Sequence, residues 1–73
     1  MRQVTVYAFW DDEARVWVAE SADVPGLVTE AETIEALTEK IQNLIPELMS
    51  LAGKEHALTD VHLRMERHLE MAV

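Results

Sequence analysis

Clustered carboxylates are the first residues of this sequence that could do chemistry. Asp11, Asp12 and Glu13 are consecutive, and hard cations such as Mg²⁺ bind carboxylate oxygens. Consecutive side chains in a turn diverge, however, and no calcium-loop pattern follows them. We therefore interpret these acids as a solvated turn. Asp23 directly precedes Val24-Pro25-Gly26, and we interpret it as an acceptor for turn amides rather than as a general base.

The sequence also gives no support for a histidine metal site or for a catalytic nucleophile. His62 and His68 fall on the same face of a predicted strand, about 20 Å apart, which is too far for a shared metal ion. His56 is predicted to lie in a loop. The sequence has no cysteine, and Ser21 and Ser50 lie outside any nucleophile-elbow pattern. We predict no catalytic residue, no cofactor and no bound metal.

Size and charge restrict the possible partners. A chain of 73 residues fits one domain, residues 1–73, with a small core and no disulfide or metal to support it. Its formal net charge of −8 repels nucleic acids and anionic membranes, so we expect neither as a direct partner. The charge would favour a basic protein partner, although solubility is its commoner purpose.

The N-terminus lacks the features of a signal peptide, and no segment approaches the ~20 apolar residues that cross a bilayer. We expect a cytoplasmic protein. Because neither disulfides nor a metal can support the small core, we also expect a homo-oligomer, a dimer or a larger assembly.

The first part of the chain predicts a β-hairpin. Residues 3–10 and 15–21 are rich in β-branched and aromatic residues, and the charged residues 11–14 form the loop between them. We predict a register with Trp10 opposite Arg15 and Phe9 opposite Val16. Alternation assigns one set of residues to the core: Val4, Val6, Ala8, Trp17 and Ala19. The opposite face is left uncovered and carries Tyr7, Phe9, Val16 and Val18. If the faces were exchanged, Trp10 and Trp17 would be exposed instead.

A tight turn and a helix follow. Val24-Pro25-Gly26-Leu27 has proline second and glycine third, as a type II turn requires, and it leads into a third strand over residues 27–30. Thr33 is a predicted N-cap for a helix that ends near Gly53. Pro46 predicts a bent helix or two collinear pieces. The helix has one apolar stripe: Ile34, Leu37, Ile41, Leu44, Leu48 and Leu51.

The C-terminal segment predicts a fourth strand. Residues 61–71 alternate apolar and polar side chains, although Val61, Met65 and Leu69 are also spaced for a helix. A strand of this length would span about 36 Å and exceed its neighbours. We predict that its overhang, which includes Leu69 and Met71, pairs with another subunit.

These elements together predict an α+β domain of order β-β-β-α-β. Three strands form an antiparallel meander, and the crossover helix places the fourth strand beside the first. Because one helix covers only one face of the sheet, the uncovered aromatic and valine residues are typical of an association surface.

Several stretches resemble the HicB-like family of bacterial antitoxin domains, in particular a short uncharacterised branch of it. They include WDDEARVWVAES, DVPGLVTEAET and LIPELM, and they extend over nearly the whole chain. The most specific is Asp23-Val24-Pro25-Gly26-Leu27, followed by Thr29, Ala31 and Thr33. The resemblance implies a partial ribonuclease-H-like fold with the strand order given above, and it favours a strand over residues 61–71.

The resemblance also implies a function. In complete HicB-like antitoxins this domain binds and inhibits a small basic RNA-cleaving toxin, and a C-terminal segment binds the operator. Because the sequence stops at Val73 without such a segment, we do not expect autoregulation by DNA binding. Residues 4–10 carry no acid of the kind a true ribonuclease H needs on its central strands.

We therefore predict a non-catalytic, antitoxin-like protein-interaction domain. One alternative is a vestigial or metal-dependent ribonuclease-H-like nuclease that uses Asp11, Asp12 and Asp23. A small-ligand sensor is another, although the sequence has no dedicated pocket signature.

Overall fold

Four strands and one helix make up the protein, and the computed structural model describes residues 2–54 and 57–73. In chain order they are β1 (Arg2–Asp11), β2 (Val16–Glu20), β3 (Val28–Ala31), α1 (Ile34–Leu51) and β4 (Thr59–Glu66). The strands form one sheet in the order β3-β2-β1-β4. β1 is antiparallel to β2 and parallel to β4, and β2 is antiparallel to β3. The predicted α+β class, element order and crossover are confirmed.

The register of the hairpin differs from the predicted one by two residues. Trp10 lies opposite Trp17, and Phe9 lies opposite Val18. The predicted pairs Trp10 with Arg15 and Phe9 with Val16 are therefore wrong. β1 continues to Asp11, and Arg15 belongs to the loop with a φ of 61°. A left-handed residue at the end of a hairpin loop is a common way to join twisted strands.

The core lies between α1 and the sheet face that carries the even-numbered residues of β1. Among the described residues, every buried side chain is hydrophobic. The exchanged-face alternative is wrong, because the predicted core residues are all buried: Val4, Val6, Ala8, Trp17 and Ala19. Val24, Leu27 and Ala31 close the core from the turn and from β3.

The helix is one continuous element across Pro46. Of the two predicted forms, the two collinear pieces are wrong, and the bent helix stays a prediction. Its buried row is Leu37, Ile41, Ile45 and Met49. Leu51, predicted to lie on the stripe, is 79% exposed. The apolar arc of this helix is wider than one stripe, and the sheet covers the side that contains Ile45 and Met49.

Local hydrogen bonds define both ends of α1. The Thr33 hydroxyl accepts from the Ala36 amide at 3.1 Å, which satisfies one of the amides that an N-terminus leaves unpaired. At the other end, Gly53 has a φ of 74° and the Lys54 amide donates to the Met49 carbonyl at 3.0 Å. A left-handed glycine with this bond is the Schellman ending of a helix.

β4 is shorter than predicted, because it ends at Glu66 rather than at residue 71. Residues 67–73, called the tail below, contain no helix, turn or bend and are exposed. The helical alternative for this segment is therefore wrong. The described residues measure 50 × 21 × 19 Å along their principal axes. The ten residues of β1 span only about 33 Å, and a tail that projects past the sheet accounts for the difference. No helix in residues 2–54 or 57–73 has the length and apolar character to cross a membrane.

Candidate interaction surfaces

The acidic residues of the hairpin have structural hydrogen bonds. The Asp11 carboxylate accepts from the amides of Glu13 and Ala14, each at 3.1 Å. The Asp12 carboxylate accepts from the Trp10 indole at 3.2 Å and faces the Arg15 guanidinium at 3.4 Å. These bonds stabilise the loop, for which a solvated turn is predicted from the sequence.

Asp23 lies at the opposite end of the hairpin and is bound to β1 rather than to its own turn. Its carboxylate accepts from the Thr5 amide at 2.8 Å, and the Ser21 hydroxyl donates to the Thr5 carbonyl at 2.5 Å. The two side chains thus continue the backbone ladder at the point where β2 leaves the sheet. The predicted acceptor role is correct in kind, but the amide that Asp23 binds is on a neighbouring strand.

The turn after Asp23 has the geometry that its sequence predicts. The Leu27 amide donates to the Val24 carbonyl at 3.1 Å, and Gly26 has a φ of 82°. A positive φ at the third position of a turn with proline second is the type II conformation, which favours glycine there.

The candidate metal and catalytic residues are not brought together. Asp11 and Thr5, the anchor of Asp23, are six residues apart on one strand, or about 20 Å. His62 lies on β4, and His68 lies beyond its end. Within residues 2–54 and 57–73, no three His, Asp or Glu side chains could hold a metal ion together. His56, predicted in a loop, lies outside the described residues.

The face of the sheet away from α1 is called the open face below. At its centre are Tyr7 and Phe9, which are 51% and 40% exposed. Phe9 lies opposite Val18 of β2. Val18 and Val16, which is on the same face of β2, are half-buried. These four residues are the ones predicted from the alternation of β1 and β2. Aromatic side chains presented on a bare sheet are typical of protein-interaction sites.

Acidic side chains surround the centre of the open face. Register places Glu66 opposite Phe9 on one side, and Glu20 opposite Tyr7 on the other. Glu30 lies opposite Val18. Arg64 of β4, opposite Tyr7, brings a positive charge to this face. The open face is thus an apolar centre with a predominantly acidic border.

A second apolar region lies on the helix side of the sheet, between α1 and β4. Cα atoms of α1 come within 8 Å of β2 and β3, whereas none of the described ones does so for β1 or β4. The gap is a groove of about 700 Å³. Its walls are mainly apolar and include Ile41, Ile45 and Met49 of α1 and Val61 and Leu63 of β4.

Trp10 marks the end of the sheet where the tail begins. Its ring packs edge-on against Trp17, with centroids 5.5 Å apart. The guanidinium of Arg67 lies over the same ring, 4.5 Å from its centroid, and that of Arg15 lies 5.6 Å away. Phe9 pairs with Glu66, so Arg67 occupies the next position of the β1–β4 register.

Three of these features were missed by sequence reasoning. They are the groove, the contact between Arg67 and Trp10, and the role of Ser21 beside Asp23. Each depends on segments that are distant in sequence. A local signal existed only for Ser21, because serine two residues before an aspartate often forms side-chain to backbone bonds.

The described residues form a small α+β domain with a four-stranded mixed sheet, one helix, an open face with exposed aromatic residues, and an apolar groove. A family model described as a domain of unknown function (DUF1902) matches residues 3–73. The chain therefore belongs to the DUF1902 family.

A solved structure shares this fold. The chain is similar to the crystal structure of a hypothetical protein, TTHA1013, from the extremely thermophilic bacterium Thermus thermophilus. The two share 47% sequence identity with a TM-score of 0.76, and the similarity covers 99% of this chain and 100% of that one. A comparison with curated proteins found no match. The resemblance to HicB-like antitoxins stays a prediction.

Proposed function

We propose that this protein is a non-catalytic interaction domain of the HicB antitoxin type, whose open face binds a small basic protein. One observation carries the proposal: Tyr7 and Phe9 are exposed at the centre of a sheet face and are bordered by carboxylates. Exposed aromatic residues supply contact area at the centre of an interface. The acidic border supplies orientation and speeds the encounter with a cation-rich partner.

The HicB-like part of the proposal has its own support. The sheet order β3-β2-β1-β4 with a crossover helix is what a partial ribonuclease-H-like fold requires. The Asp23 turn, which is the most specific point of the resemblance, is fixed to the central strand by its bond to Thr5. Within this proposal, the basic partner is a small RNA-cleaving toxin, and the open face blocks it by direct contact.

No specific observation favours the nuclease alternative. Asp11 and Asp23 accept structural hydrogen bonds at opposite ends of the hairpin. Metal-dependent phosphate chemistry requires carboxylates that converge on an ion. The alternative retains a direct test, which is incubation of the purified protein with RNA or DNA in magnesium or manganese.

The proposal is tested with the protein encoded next to this chain in its host genome. We expect that gene to encode a short basic polypeptide that cleaves RNA, and we expect cleavage to stop when this chain is added in equimolar amount. Binding is measured by calorimetry, and inhibition by the decay of a defined RNA substrate.

Matched variants locate the binding surface. Phe9→Arg and Glu20→Lys alter the open face, whereas Glu35→Lys makes the same charge change in the first turn of α1, away from that face. We expect the first two variants to weaken inhibition at least about tenfold, because interface centres and complementary charges dominate affinity. Equal loss with Glu35→Lys, or unchanged inhibition with Phe9→Arg, would contradict the proposed surface. Failure of the neighbouring protein to bind would contradict the antitoxin assignment.

A further inference from the structure

We infer that two copies of this chain form a dimer in which β4 and the tail of one copy pair with those of the other. The paired strands run antiparallel, and a twofold axis at Arg67 relates the two copies. The inference concerns the sheet edge rather than the open face, so it does not depend on the proposed function. It rests on an unpaired strand edge, an exposed tail that continues the strand pattern, and a self-complementary sequence.

The outer side of β4 is an unpaired sheet edge. β4 is the last strand in the order β3-β2-β1-β4, and its only hydrogen-bonded neighbour within the described residues is β1. An eight-residue edge presents a row of backbone donors and acceptors that readily pairs with another strand. Pairing with a second copy would satisfy these groups on both chains at once.

The tail continues the line of β4. Arg67 occupies the next position of the register and lies over Trp10, and residues 67–73 contain no turn or bend. Leu69 and Met71 keep the alternation of β4, and they are 65% and 74% exposed. Apolar side chains at strand spacing, presented beyond the end of a sheet, are suited to pairing with another chain.

With the axis at Arg67, apolar residues of one copy lie opposite apolar residues of the other on the helix side of the sheet. In an antiparallel pair, side chains directly opposite each other lie on the same face. The axis at Arg67 sets odd-numbered apolar residues opposite each other: Val61 with Val73, Leu63 with Met71, and Met65 with Leu69. All of these lie on the helix side of the sheet, because β4 pairs Leu63 with Val6 and Met65 with Ala8.

The same axis matches opposite polar groups on the other side. Arg64 lies opposite Glu70 of the second copy, and Glu66 lies opposite His68. On the helix side, Arg67 lies opposite Arg67 of the second copy at the axis, and each guanidinium lies over the Trp10 ring of its own chain. Charge complementarity of this kind stabilises a cross-strand pair, whereas like charges opposite each other destabilise it.

Neighbouring registers are poorer. A slip of one residue sets apolar side chains against polar ones along the whole contact. A shift of two residues in one direction sets Glu66 against Glu66 and Arg64 against His68. The same shift in the other direction sets Glu66 against Glu70. The sequence therefore selects the axis at Arg67 among these arrangements.

This arrangement also extends one apolar wall of the groove between α1 and β4. The second copy's tail adds a strand next to β4, so its Leu69 and Met71 extend the apolar wall that carries Leu63. Val61 and Met65, which are exposed in the single chain, gain apolar neighbours. The tail cannot do this in its own chain, because residues 63 and 71 are about 26 Å apart along one extended strand.

Cysteine pairs test the register, because the chain has no cysteine of its own. The variant Leu63→Cys with Met71→Cys places thiols opposite each other only between copies. We expect mild oxidation to convert it to covalent dimers that a reductant reverses. The control Leu63→Cys with Leu69→Cys is shifted by two residues, and we expect it to cross-link much less. Equal cross-linking of the two variants would overturn the register.

A charge exchange tests the pairing in another way. Arg64→Glu sets glutamate against Glu70 at two symmetry-related positions, and we expect it to raise the dimer dissociation constant on the order of tenfold. Adding Glu70→Arg restores opposite charges, and we expect affinity to return. Within one chain these residues are about 20 Å apart, so rescue requires two copies. Absence of rescue would overturn the assigned pair.

Mass measurement tests the association itself. We expect light scattering on the unaltered chain to give twice its 8.3 kDa. Leu69→Lys should weaken the dimer on the order of a hundredfold, since it buries a charge where leucine was packed. The control Leu51→Lys changes another exposed leucine, at the end of α1, and should leave the mass unchanged. A chain that stays at 8.3 kDa at every concentration would overturn the inference.

Discussion

The sheet consists of two halves that bury their apolar residues to very different extents. Beneath α1, the core-facing residues of β2 and β3 are buried, as Trp17, Ala19 and Ala31 show. On β4 and the tail, Val61, Met65 and Leu69 carry the same alternation but stay exposed. Helix α1 packs over β2 and β3 and leaves β4, the strand that directly follows it in the chain, uncovered. The covered half stabilises the fold, and the bare half is available for association.

The largest effect is expected in the covered half. Leu37 is fully buried at the centre of the core, and Leu37→Ala should cost about 3 to 5 kcal/mol of unfolding free energy. A domain of this size has only a few kcal/mol of stability, so the variant should be largely unfolded by circular dichroism. Val61→Ala, in the bare half, should change the stability of the single chain little. Similar losses for both variants would show that the two halves do not differ.

The next effect is expected at Asp23, in the connection between β2 and β3. Asp23→Ala removes the acceptor of the Thr5 amide and should lower the unfolding free energy by about 1 to 2 kcal/mol. Asp23→Asn keeps an acceptor oxygen and should retain most of the stability. Urea denaturation measures both variants, and an unaffected Asp23→Ala would mean that the bond contributes nothing.

A smaller effect is expected at the start of the covering helix. Thr33→Ala removes the hydroxyl that accepts from the Ala36 amide and should cost about 1 kcal/mol. Thr33→Ser keeps the acceptor and serves as the matched control. If serine proves as destabilising as alanine in thermal denaturation, the capping bond is not the cause of the loss.

The smallest effect is expected in the bare half. Arg67→Ala removes the cation over Trp10 and should cost about 0.5 to 1 kcal/mol. The measurement uses a Leu69→Lys background, so that association does not contribute to stability. Arg67→Lys keeps a cation, so its unfolding free energy should lie between those of the proteins with arginine and with alanine at position 67. A loss well above this range would mean that the tail contributes to the fold of the single chain.

The faces of the strands could be predicted because they depend on local alternation. The order of the strands could be predicted because short turns pair successive strands and a helix connection returns the next strand in parallel. Val6 and Ala8 alternate with Tyr7 and Phe9, and the structure buries the first pair and exposes the second. The register could not be predicted with the same reliability. A slip of two residues moves Trp10 from Arg15 to Trp17 but leaves every side chain on its face. In the observed register, the amides of Glu13 and Ala14 donate to Asp11 in the loop, and alternation carries no information on such bonds.

The interaction surfaces were only partly predictable. Tyr7 and Phe9 of the open face follow from alternation, because they are the residues that the helix cannot reach. The groove depends on where α1 lies relative to β4, and the sequence contains no local signal for that distance. The end of β4 at Glu66 was also missed. The alternation continues to Met71, but a strand needs a neighbour. In the β1–β4 register, the end of β1 at Asp11 leaves the residues beyond 68 with no strand beside them in their own chain.

The position of β1 has a consequence for how the protein folds. One neighbour of this central strand, β2, is the next segment of the chain, whereas the other, β4, follows only after β3 and α1. The hairpin can close quickly, but the parallel pairing must wait for a long stretch of chain to be ordered. A partly folded chain therefore leaves the hydrogen-bonding groups on one side of β1 without a neighbour, and aggregation would begin from that side. The yield of refolding should accordingly fall as the protein concentration rises, even at concentrations at which the folded domain is stable.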